Sequence, residues 1–337
     1  MKAAVFYKPF DIRIEEVPKP TLSESDILIQ VKSVSICKTD IQIFCGDSPI
    51  SAPIVLGHDF SGIITAVGTH VKNFSVGERV AIQPVGYCGY CCYCRKGKYH
   101  LCLYGKWLGF EKDGGLSEYA IVNECNLLKL PNNLSFDESA VLEPVAVGLR
   151  AIKLANIQIG DYVAIIGQGS IGLMLTKICK LVGGKVLALD IDASKLKAAK
   201  EMGADHVFNV SSENKNDVIK KVSEISGGLG VNVVFEASGT QEAIDMAEKM
   251  VMCGGKIMLI GHRKNLRGPP INLEKELTIK YVGLTPIEYP LALKLISEGI
   301  VDVKRLITHH IKLKDVPRYF DGIIRGQIKA IRVIVNP

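Results

Sequence analysis

Residues 161–190 read DYVAIIGQGSIGLMLTKICKLVGGKVLALD and carry the strongest structural signal in the chain. An apolar run with β-branched residues leads to three glycines, Gly167, Gly169 and Gly172, and apolar residues at helical spacing follow. This order predicts a buried strand, a tight turn, a helix and a second strand that ends at Asp190. Glycines at these positions let the chain turn sharply and let a pyrophosphate approach the backbone, so the pattern predicts a dinucleotide site.

The end of the second strand indicates which dinucleotide binds. A carboxylate at Asp190 can accept hydrogen bonds from both ribose hydroxyls of NAD, and it repels the 2′-phosphate of NADP. Free N–H groups at the start of the intervening helix, at Ser170 and Ile171, would face the phosphates. Lys195, in the helix after Asp190, is a further candidate contact. We therefore expect NAD as the cofactor.

Outward from this unit, strands and helices alternate. HVFNV, VNVVFEAS and KIMLIGH read as strands, and ASKLKAAKEMG and AIDMAEKMV read as helices. Such alternation predicts an α/β Rossmann domain, a doubly wound parallel sheet with helices, over residues 148–283. The region before it reads as short strands and turns, including KAAVFY, DILIQVKSVSI, FSGIITAVG and ERVAIQP, which predicts an all-β distorted barrel. We expect residues 1–147 and 284–337 to form this second domain, with helices at YPLALKLISEG and DVPRYFDGIIRG in its C-terminal part.

Four cysteines lie close together in the segment CGYCCYCRKGKYHLC. Cys88, Cys91, Cys94 and Cys102 have the spacing C-x2-C-x2-C-x7-C, which lets one loop turn three thiolates toward a point while the fourth closes a tetrahedron. A zinc ion held by four thiolates keeps no open position, so it would stabilise the lobe. Two alternatives share the pattern: an iron–sulfur cluster, and a zinc ribbon that binds a partner. We assign no role to Cys92.

Composition narrows the class of protein. The 337 residues allow two domains, and the formal charge of +6 comes from scattered lysines, so we expect no nucleic-acid partner. No apolar run is long enough to cross a bilayer, and the N-terminal residues lack the apolar core of a signal peptide. We therefore expect a cytoplasmic protein with no membrane partner. In a reducing compartment, clustered cysteines indicate metal before disulfides.

Three more short motifs accompany the cysteine lobe: Cys37-Lys38-Thr39-Asp40, Gly57-His58-Asp59 and Glu143-Pro144. Together with DGGLSEYAIV, LEPVAVGLRA, GQGSIG and LITH, they resemble the zinc-containing medium-chain alcohol dehydrogenase superfamily. The likeness spans nearly the whole chain and is closer to the polyol (sorbitol-like) and threonine dehydrogenase branch. It implies a GroES-like β-barrel catalytic domain joined to the Rossmann domain.

The resemblance also implies a role for each matching residue. Cys37 and His58 would ligate a catalytic zinc. Glu143 occupies the position of a glutamate that binds the metal directly or through its water. Asp59 stands where relatives usually have Glu, one methylene longer, and is the other candidate carboxylate ligand. Thr39 matches the Ser/Thr hydroxyl that takes the substrate proton.

Three positions depart from the pattern of the superfamily. Lys38 replaces Gly, Arg or His and could contact the cofactor pyrophosphate. Gln42 stands where polyol and threonine dehydrogenases usually have His, and glutamine cannot relay a proton at neutral pH. Leu284 falls where sorbitol-binding relatives often have Arg. The last two departures argue against sorbitol itself as the substrate.

The sequence thus predicts a zinc-dependent, NAD-linked dehydrogenase that interconverts a secondary alcohol and its ketone. We expect a polyol, sugar derivative, cyclitol or amino alcohol as the small-molecule substrate, two zinc ions per subunit, and a homo-oligomer, either tetramer or dimer. One rival hypothesis is a zinc-free reductase of the same superfamily, which would lack the Cys/His/Glu set and the cysteine lobe. The other is a non-catalytic, NAD-sensing zinc protein that binds nucleic acid through the lobe, where RKGKYH offers a basic run.

Overall fold

The computed structural model describes residues 1–261, 266–270, 272–283 and 286–337, so Leu284 lies outside the described residues. Among these residues the strands are β1 Lys2–Lys8, β2 Asp11–Glu16, β3 Asp26–Ile36, β4 Ile54–Val55, β5 Asp59–Val67, β6 Arg79–Ile82, β7 Tyr119–Asn123, β8 Leu127–Lys129, β9 Tyr162–Ile166, β10 Lys185–Asp190, β11 His206–Asn209, β12 Val231–Glu236, β13 Val251–Leu259, β14 Thr278–Tyr281, β15 Ile307–Lys312 and β16 Arg332–Asn336. The helices are α1 Lys38–Cys45, α2 Phe136–Ser139, α3 Glu143–Ala155, α4 Ser170–Leu181, α5 Ala193–Glu201, α6 Lys215–Ile225, α7 Gln241–Met250, α8 Tyr289–Ser297 and α9 Val316–Ile324.

The chain divides into two compact units, residues 1–143 with 284–337, and residues 144–283. The second unit contains a six-stranded sheet in the order β11-β10-β9-β12-β13-β14, and every neighbouring pair is parallel. The chain starts in the middle at β9, moves outward to β11, then returns to β12 and moves the other way. This is the doubly wound order, and its reversal lies between β9 and β12, where such sheets bind ligands at the carboxyl ends of the strands.

The core of this unit explains its strands. The buried runs of β9, β10 and β12 are almost entirely apolar, as expected for parallel strands covered on both faces. Helix α4 packs on β9 and β10, and α7 packs on β12 and β13. The fold class predicted from the alternation of strands and helices is confirmed.

The first unit is built on β3, which pairs with β5, β7 and β16 in a seven-stranded sheet. A second sheet of three strands has the order β2-β1-β4. Buried side chains of both sheets form one hydrophobic cluster that includes Val5, Phe6, Ile29 and Phe60. The strands that bear the site residues therefore lie in a packed β structure.

Three helices, α1, the short α2 and α6, are not among those that the sequence predicted. The first unit is not all-β, because α1 follows β3 directly and ends at Gly46, which has φ of 80°. In the second unit, α6 was missed because only two of its residues, Val218 and Val222, are buried. They lie one turn apart, and charged residues surround them in the sequence. A helix with so narrow an apolar stripe gives little periodic signal.

Among the described residues, none of the helices combines the length and apolar character needed to span a bilayer.

Candidate metal and cofactor sites

The turn from β3 into α1 fixes the first site residues. Cys37 is the N-cap of α1: its Sγ accepts a hydrogen bond from Thr39 N at 3.2 Å. Asp40 completes a capping box because its Oδ2 accepts from Cys37 N at 2.9 Å. The two bonds hold the Cys37 thiol at the start of the helix and place Thr39 in its first turn, half-buried. Lys38, the first helical residue, is exposed.

His58 comes to the same place because of Gly57. Gly57 has φ of +89°, and a Cβ there would lie 2.8 Å from a side-chain atom of Leu116, so a larger residue does not fit. The ring of His58 is buried, with Nε2 3.5 Å from Cys37 Sγ and Nδ1 3.4 Å from Asp40 Oδ1. Asp40 therefore holds Cys37 by a hydrogen bond and lies close to His58 Nδ1, which makes no hydrogen bond among the described residues; a carboxylate in this place is typical behind a metal-binding imidazole.

Arg332 is a site residue that sequence reasoning missed. Its Nη1 donates to Asp59 Oδ2 at 2.7 Å, and its Nη2 donates to Glu143 Oε2 at 2.8 Å. The guanidinium is buried, and Ser35 Oγ lies 3.4 Å from Nη1. One arginine thus holds both candidate carboxylates of the site. A buried carboxylate needs a cation or hydrogen-bond donors as partners. This requirement of Asp59 and Glu143 is the one signal that could have pointed to an arginine such as Arg332.

The electrostatics of the site favour a bound cation. Burial opposes protonation of His58, yet the charges of Asp59, Asp40 and Cys37 outweigh it and raise its pKa well above the usual value. Burial raises the pKa of Asp59 to about 6, opposed by His58 and supported by the charge of Glu143. Several acidic groups therefore share a space from which water is excluded. A divalent metal is the usual solution to such an arrangement.

The distances fit zinc. Ligand bonds of about 2.3 Å to sulfur and about 2.0–2.1 Å to nitrogen, at a tetrahedral angle, separate the two ligand atoms by about 3.5 Å. The measured separation of Cys37 Sγ and His58 Nε2 is 3.5 Å, and Asp59 Oδ2 lies 3.7 Å from His58 Nε2. The ligand atoms of these three residues all lie within 4.8 Å of one another. Glu143 lies outside this group and reaches it through Arg332.

The four lobe cysteines, Cys88, Cys91, Cys94 and Cys102, also converge. Their ligand atoms lie within 4.8 Å of one another, with Sγ separations of 3.9 Å for Cys88–Cys94 and 4.0 Å for Cys91–Cys102. Two thiolates on one zinc ion are separated by about 3.8 Å, so these distances fit tetrahedral ligation. Cys92 is exposed and is not part of the group.

Backbone N–H groups support the lobe thiols as anions. Cys91 N donates to Cys88 Sγ at 3.3 Å, Cys94 N to Cys91 Sγ at 3.5 Å, and Cys88 N to Cys102 Sγ at 3.2 Å. Hydrogen bonds from the backbone N–H groups of Cys94 and Leu103 lower the pKa of Cys91 to about 6, whereas burial raises the pKa of Cys94 to about 12, so this thiol needs the metal to ionise. Amide donors aimed at sulfur stabilise thiolates, the form that binds metal.

The glycine turn after β9 has the shape required for a dinucleotide. Gly167 has φ of +93°, and a Cβ on Gly172 would lie 1.9 Å from the carbonyl oxygen of Gly167. Gly169 is the N-cap of α4 and offers no side-chain cap. The first N–H groups of α4, at Ser170 and Ile171, are therefore left for an anion, and both residues are partly exposed.

Asp190 lies beside this turn, at the end of β10. Its Oδ2 accepts from Gln168 N at 2.6 Å, and its Oδ1 accepts from Asp192 N at 2.9 Å. The two bonds fix the carboxylate in one orientation next to the first glycines. Lys195 lies half-buried in the first turn of α5.

Comparison with known proteins gives a consistent result. A family model described as the alcohol dehydrogenase GroES-like domain matches residues 23–132, and one described as zinc-binding dehydrogenase matches residues 170–298. The chain is 32% identical to sorbitol dehydrogenase of Bacillus subtilis over 346 residues, covering 100% of this chain and 97% of that protein. It is 34% identical to L-idonate 5-dehydrogenase of Vitis vinifera over 337 residues, covering 96% and 92%.

A solved structure shows the same fold. The crystal structure of an Escherichia coli oxidoreductase/dehydrogenase of unknown specificity matches with a TM-score of 0.92 at 32% identity, covering 99% of this chain and 98% of that one. The resemblance and fold predicted from the motifs are thereby confirmed, and so are the enzyme class and the zinc and NAD cofactors. The zinc-free and non-catalytic hypotheses lose their support.

Proposed function

The chain belongs to the zinc-containing medium-chain alcohol dehydrogenase superfamily, and we propose that it oxidises a secondary alcohol with an adjacent polar carbon, or reduces the matching ketone. It is an oxidoreductase that acts on CH–OH groups and uses zinc and NAD. The single observation that carries the substrate-binding proposal is the buried group of Cys37, His58 and Asp59, whose donor atoms match zinc distances.

The metal assignment within this site is our proposal. Cys37 and His58 are the ligands on which the geometry agrees best. Asp59 would be the third ligand: its Oδ2, which accepts from Arg332, lies 3.7 Å from His58 Nε2, and its Oδ1 has no hydrogen-bond partner among the described residues. Glu143 would act on the metal indirectly, through Arg332 or through a water molecule. Three protein ligands leave one position for the alcohol oxygen, as catalytic zinc sites require.

When bound, zinc would act as a Lewis acid for the alcohol oxygen and NAD would accept the hydride. The residues of this chain do the rest. Asp40 holds Cys37 in place beside His58, and Arg332 keeps Asp59 and Glu143 paired. Thr39, in the first turn of α1, would accept the proton that leaves the alcohol. Gln42 cannot carry that proton further, so Thr39 passes it to solvent.

We assign the remaining contacts by chemistry. Gly167, Gly169, Ser170, Ile171 and Gly172 would bind the pyrophosphate of NAD through the backbone, and Asp190 would bind the adenosine ribose. Lys38 and Lys195 would add positive charge near the phosphates. The four lobe cysteines would hold the second zinc ion, which stabilises the lobe and takes no part in the reaction.

The substrate class rests on the relatives and on the site. Sorbitol and L-idonate, which name two of the relatives, are polyhydroxylated. An open zinc position favours an alcohol that can bind through two neighbouring oxygens, or through an oxygen and a nitrogen. We therefore propose a polyol, sugar derivative, cyclitol or amino alcohol as the substrate class.

A panel of alcohols tests this proposal. The protein should first be dialysed against zinc at about one equivalent per site, so that both metal sites are filled. NAD reduction should then be followed at 340 nm with sorbitol, xylitol, threonine, 2,3-butanediol, myo-inositol and a primary alcohol. We expect kcat/KM for at least one vicinal diol or amino alcohol to exceed that of ethanol or butanol. A primary alcohol that is better by about tenfold than every other compound would refute the substrate class.

We further propose a cytoplasmic homo-oligomer. β14 is the outer strand of its sheet among the described residues, and all four of its residues are exposed. An exposed edge with Ile279 and Tyr281 is a ready surface for pairing with a second copy. Light scattering should give a dimer or tetramer, and Ile279→Lys should lower the mass. A monomeric wild-type chain would contradict the proposal.

The cytoplasmic location rests on the lobe cysteines. The cytoplasm is a reducing compartment, and it would keep these thiols in the form that binds zinc.

A further inference from the structure

Glu236 is a fully buried carboxylate that the proposed chemistry does not use. It is the last residue of β12, in register with Ile166 of β9 on one side and Leu259 of β13 on the other. This position is the carboxyl end of the strands at the point where the strand order reverses. A glutamate is almost never fully buried unless its partners require the charge.

The partners of Glu236 belong to two loops. Its Oε1 accepts three hydrogen bonds: from Ser238 N at 2.8 Å, Ser238 Oγ at 2.6 Å and Gly239 N at 2.8 Å. Its backbone oxygen accepts from Ile260 N and Gly261 N, both at 2.9 Å. One residue therefore ties the loop after β12 to the loop after β13.

The loop held by Glu236 supports the phosphate-binding turn. Ala237 N donates to Ile166 O at 2.8 Å, immediately before the first glycine of the turn. A Cβ on Gly167 would lie 2.8 Å from Ser238 N and 2.9 Å from Ser238 Cα. The turn and the 237–239 loop are thus in direct contact, without space for a methyl group between them. A displacement of the loop would shift Gly167.

We propose that Glu236 is a positioning residue for NAD: it holds the 237–239 loop so that the Gly167 turn keeps the shape that receives the pyrophosphate. It does not touch the cofactor itself. A carboxylate so close to a phosphate site opposes the negative ligand electrostatically, so its retention needs a reason. The three donors on Oε1 supply it, because hydrogen bonds to a charged acceptor are roughly twice as strong as neutral ones, and they compensate for Oε2, which has no hydrogen-bond partner among the described residues.

The test is NADH binding to the full chain, which does not depend on the identity of the alcohol. Glu236→Gln keeps the size and the acceptor oxygen but removes the charge. We expect the Kd for NADH, measured by cofactor fluorescence, and the KM for NAD to rise about tenfold, whereas kcat at saturating NAD changes less than about twofold. Hydrogen exchange at the amides of Ser238 and Gly239 should become faster. Glu224→Gln makes the same chemical change on an exposed residue of the same unit and should alter none of these values.

Two further variants keep the test decisive. Glu236→Asp retains the charge on a shorter side chain and should give an intermediate Kd. Ser238→Ala removes one of the three bonds to Glu236, together with the bond between Ser238 Oγ and Thr240 Oγ1, and should have the smallest effect. If Glu236→Gln does not fold, these two variants decide the question by their NADH affinity. A wild-type Kd for NADH in folded Glu236→Gln, or in both further variants, would overturn the proposal. A lowered unfolding temperature with unchanged affinity would likewise show that the role is purely structural.

Discussion

Nη1 of Arg332 lies 2.7 Å from Oδ2 of Asp59, and both side chains are 2% exposed. The same guanidinium binds Glu143, so one positive charge faces two carboxylates. Burying three charges costs solvation free energy that only close pairing can offset. The arrangement holds Asp59 against His58 and leaves an excess of negative charge there. Arg332 thereby keeps Asp59 and Glu143 in place beside the candidate metal ligands without being a ligand itself.

Replacement of Arg332 should damage both stability and turnover. Arg332→Met removes the guanidinium that pairs with both buried carboxylates, and we expect a loss of about 3–5 kcal/mol in the free energy of unfolding. Turnover should fall at least about 100-fold because Asp59 is no longer held in place. Arg332→Lys should be intermediate, since one ammonium group cannot bind both carboxylates as a planar guanidinium does. Urea denaturation and steady-state kinetics measure these effects.

Arg325→Met, at an exposed position of the same C-terminal region, is the matched control and should leave both quantities unchanged. Wild-type stability and turnover in Arg332→Met would contradict the role given to the buried pair.

How far the sequence could predict the site depends on how local each part is. The lobe cysteines and the glycine turn lie within short segments, so spacing alone fixes which atoms can meet. Cys37 and His58 are 21 residues apart in the sequence, so only the resemblance to a known family indicated that they lie together. Arg332 is 273 residues from Asp59, in a strand where an arginine ordinarily faces solvent. No local pattern connects them, because the contact arises only when β16 pairs with β3.

Asp190 should determine the choice between NAD and NADP. Its two hydrogen bonds, from Gln168 N and Asp192 N, prevent the carboxylate from moving away from a 2′-phosphate. Asp190→Asn keeps an acceptor oxygen and removes the charge, so we expect the ratio of kcat/KM for NAD over NADP to fall by about 10–100-fold. Asp192→Asn, which retains the helix cap at α5, should change the ratio little. Equal use of both cofactors by the wild-type enzyme would exclude this role.

The lobe should depend on its metal. We expect about two zinc ions per chain, and Cys94→Ser should lose one of them and destabilise the lobe. Cys37→Ser should also lose one zinc ion and abolish turnover, yet keep the unfolding temperature close to that of the wild type. Elemental analysis and thermal unfolding distinguish the two variants. Substantial iron with a brown absorbance would contradict zinc in the lobe.

The rate of alkylation should show whether a bound metal protects the four lobe cysteines. With zinc bound, iodoacetamide should label the exposed Cys92 and Cys253 first. Burial raises the pKa of Cys179 to about 12, so this thiol should resist labelling in the folded protein. A chelator should add the four lobe cysteines to the labelled set, as measured by peptide mass spectrometry. Labelling of all four lobe thiols at the rate of Cys92 before chelation would show that no metal protects them.

Trp107 should sense the alcohol. It is the single tryptophan of the chain, its ring centroid lies 5.9 Å from that of Phe110, and Phe110 lies 5.4 Å from the ring of His58. Both aromatic residues line a cavity of about 1280 Å³ in the first unit; Cys37, His58 and Asp59 are not among its lining residues, so the link from Trp107 to the metal group is the ring of Phe110. A substrate that enters this cavity displaces water beside the indole, so the tryptophan emission of the zinc-loaded protein should change on addition of the preferred alcohol without NAD. The change should saturate, and Trp107→Phe should abolish it while retaining turnover. Phe110→Ala should weaken both the emission change and kcat/KM. If the emission stays constant at alcohol concentrations that saturate turnover, the alcohol does not bind beside Trp107.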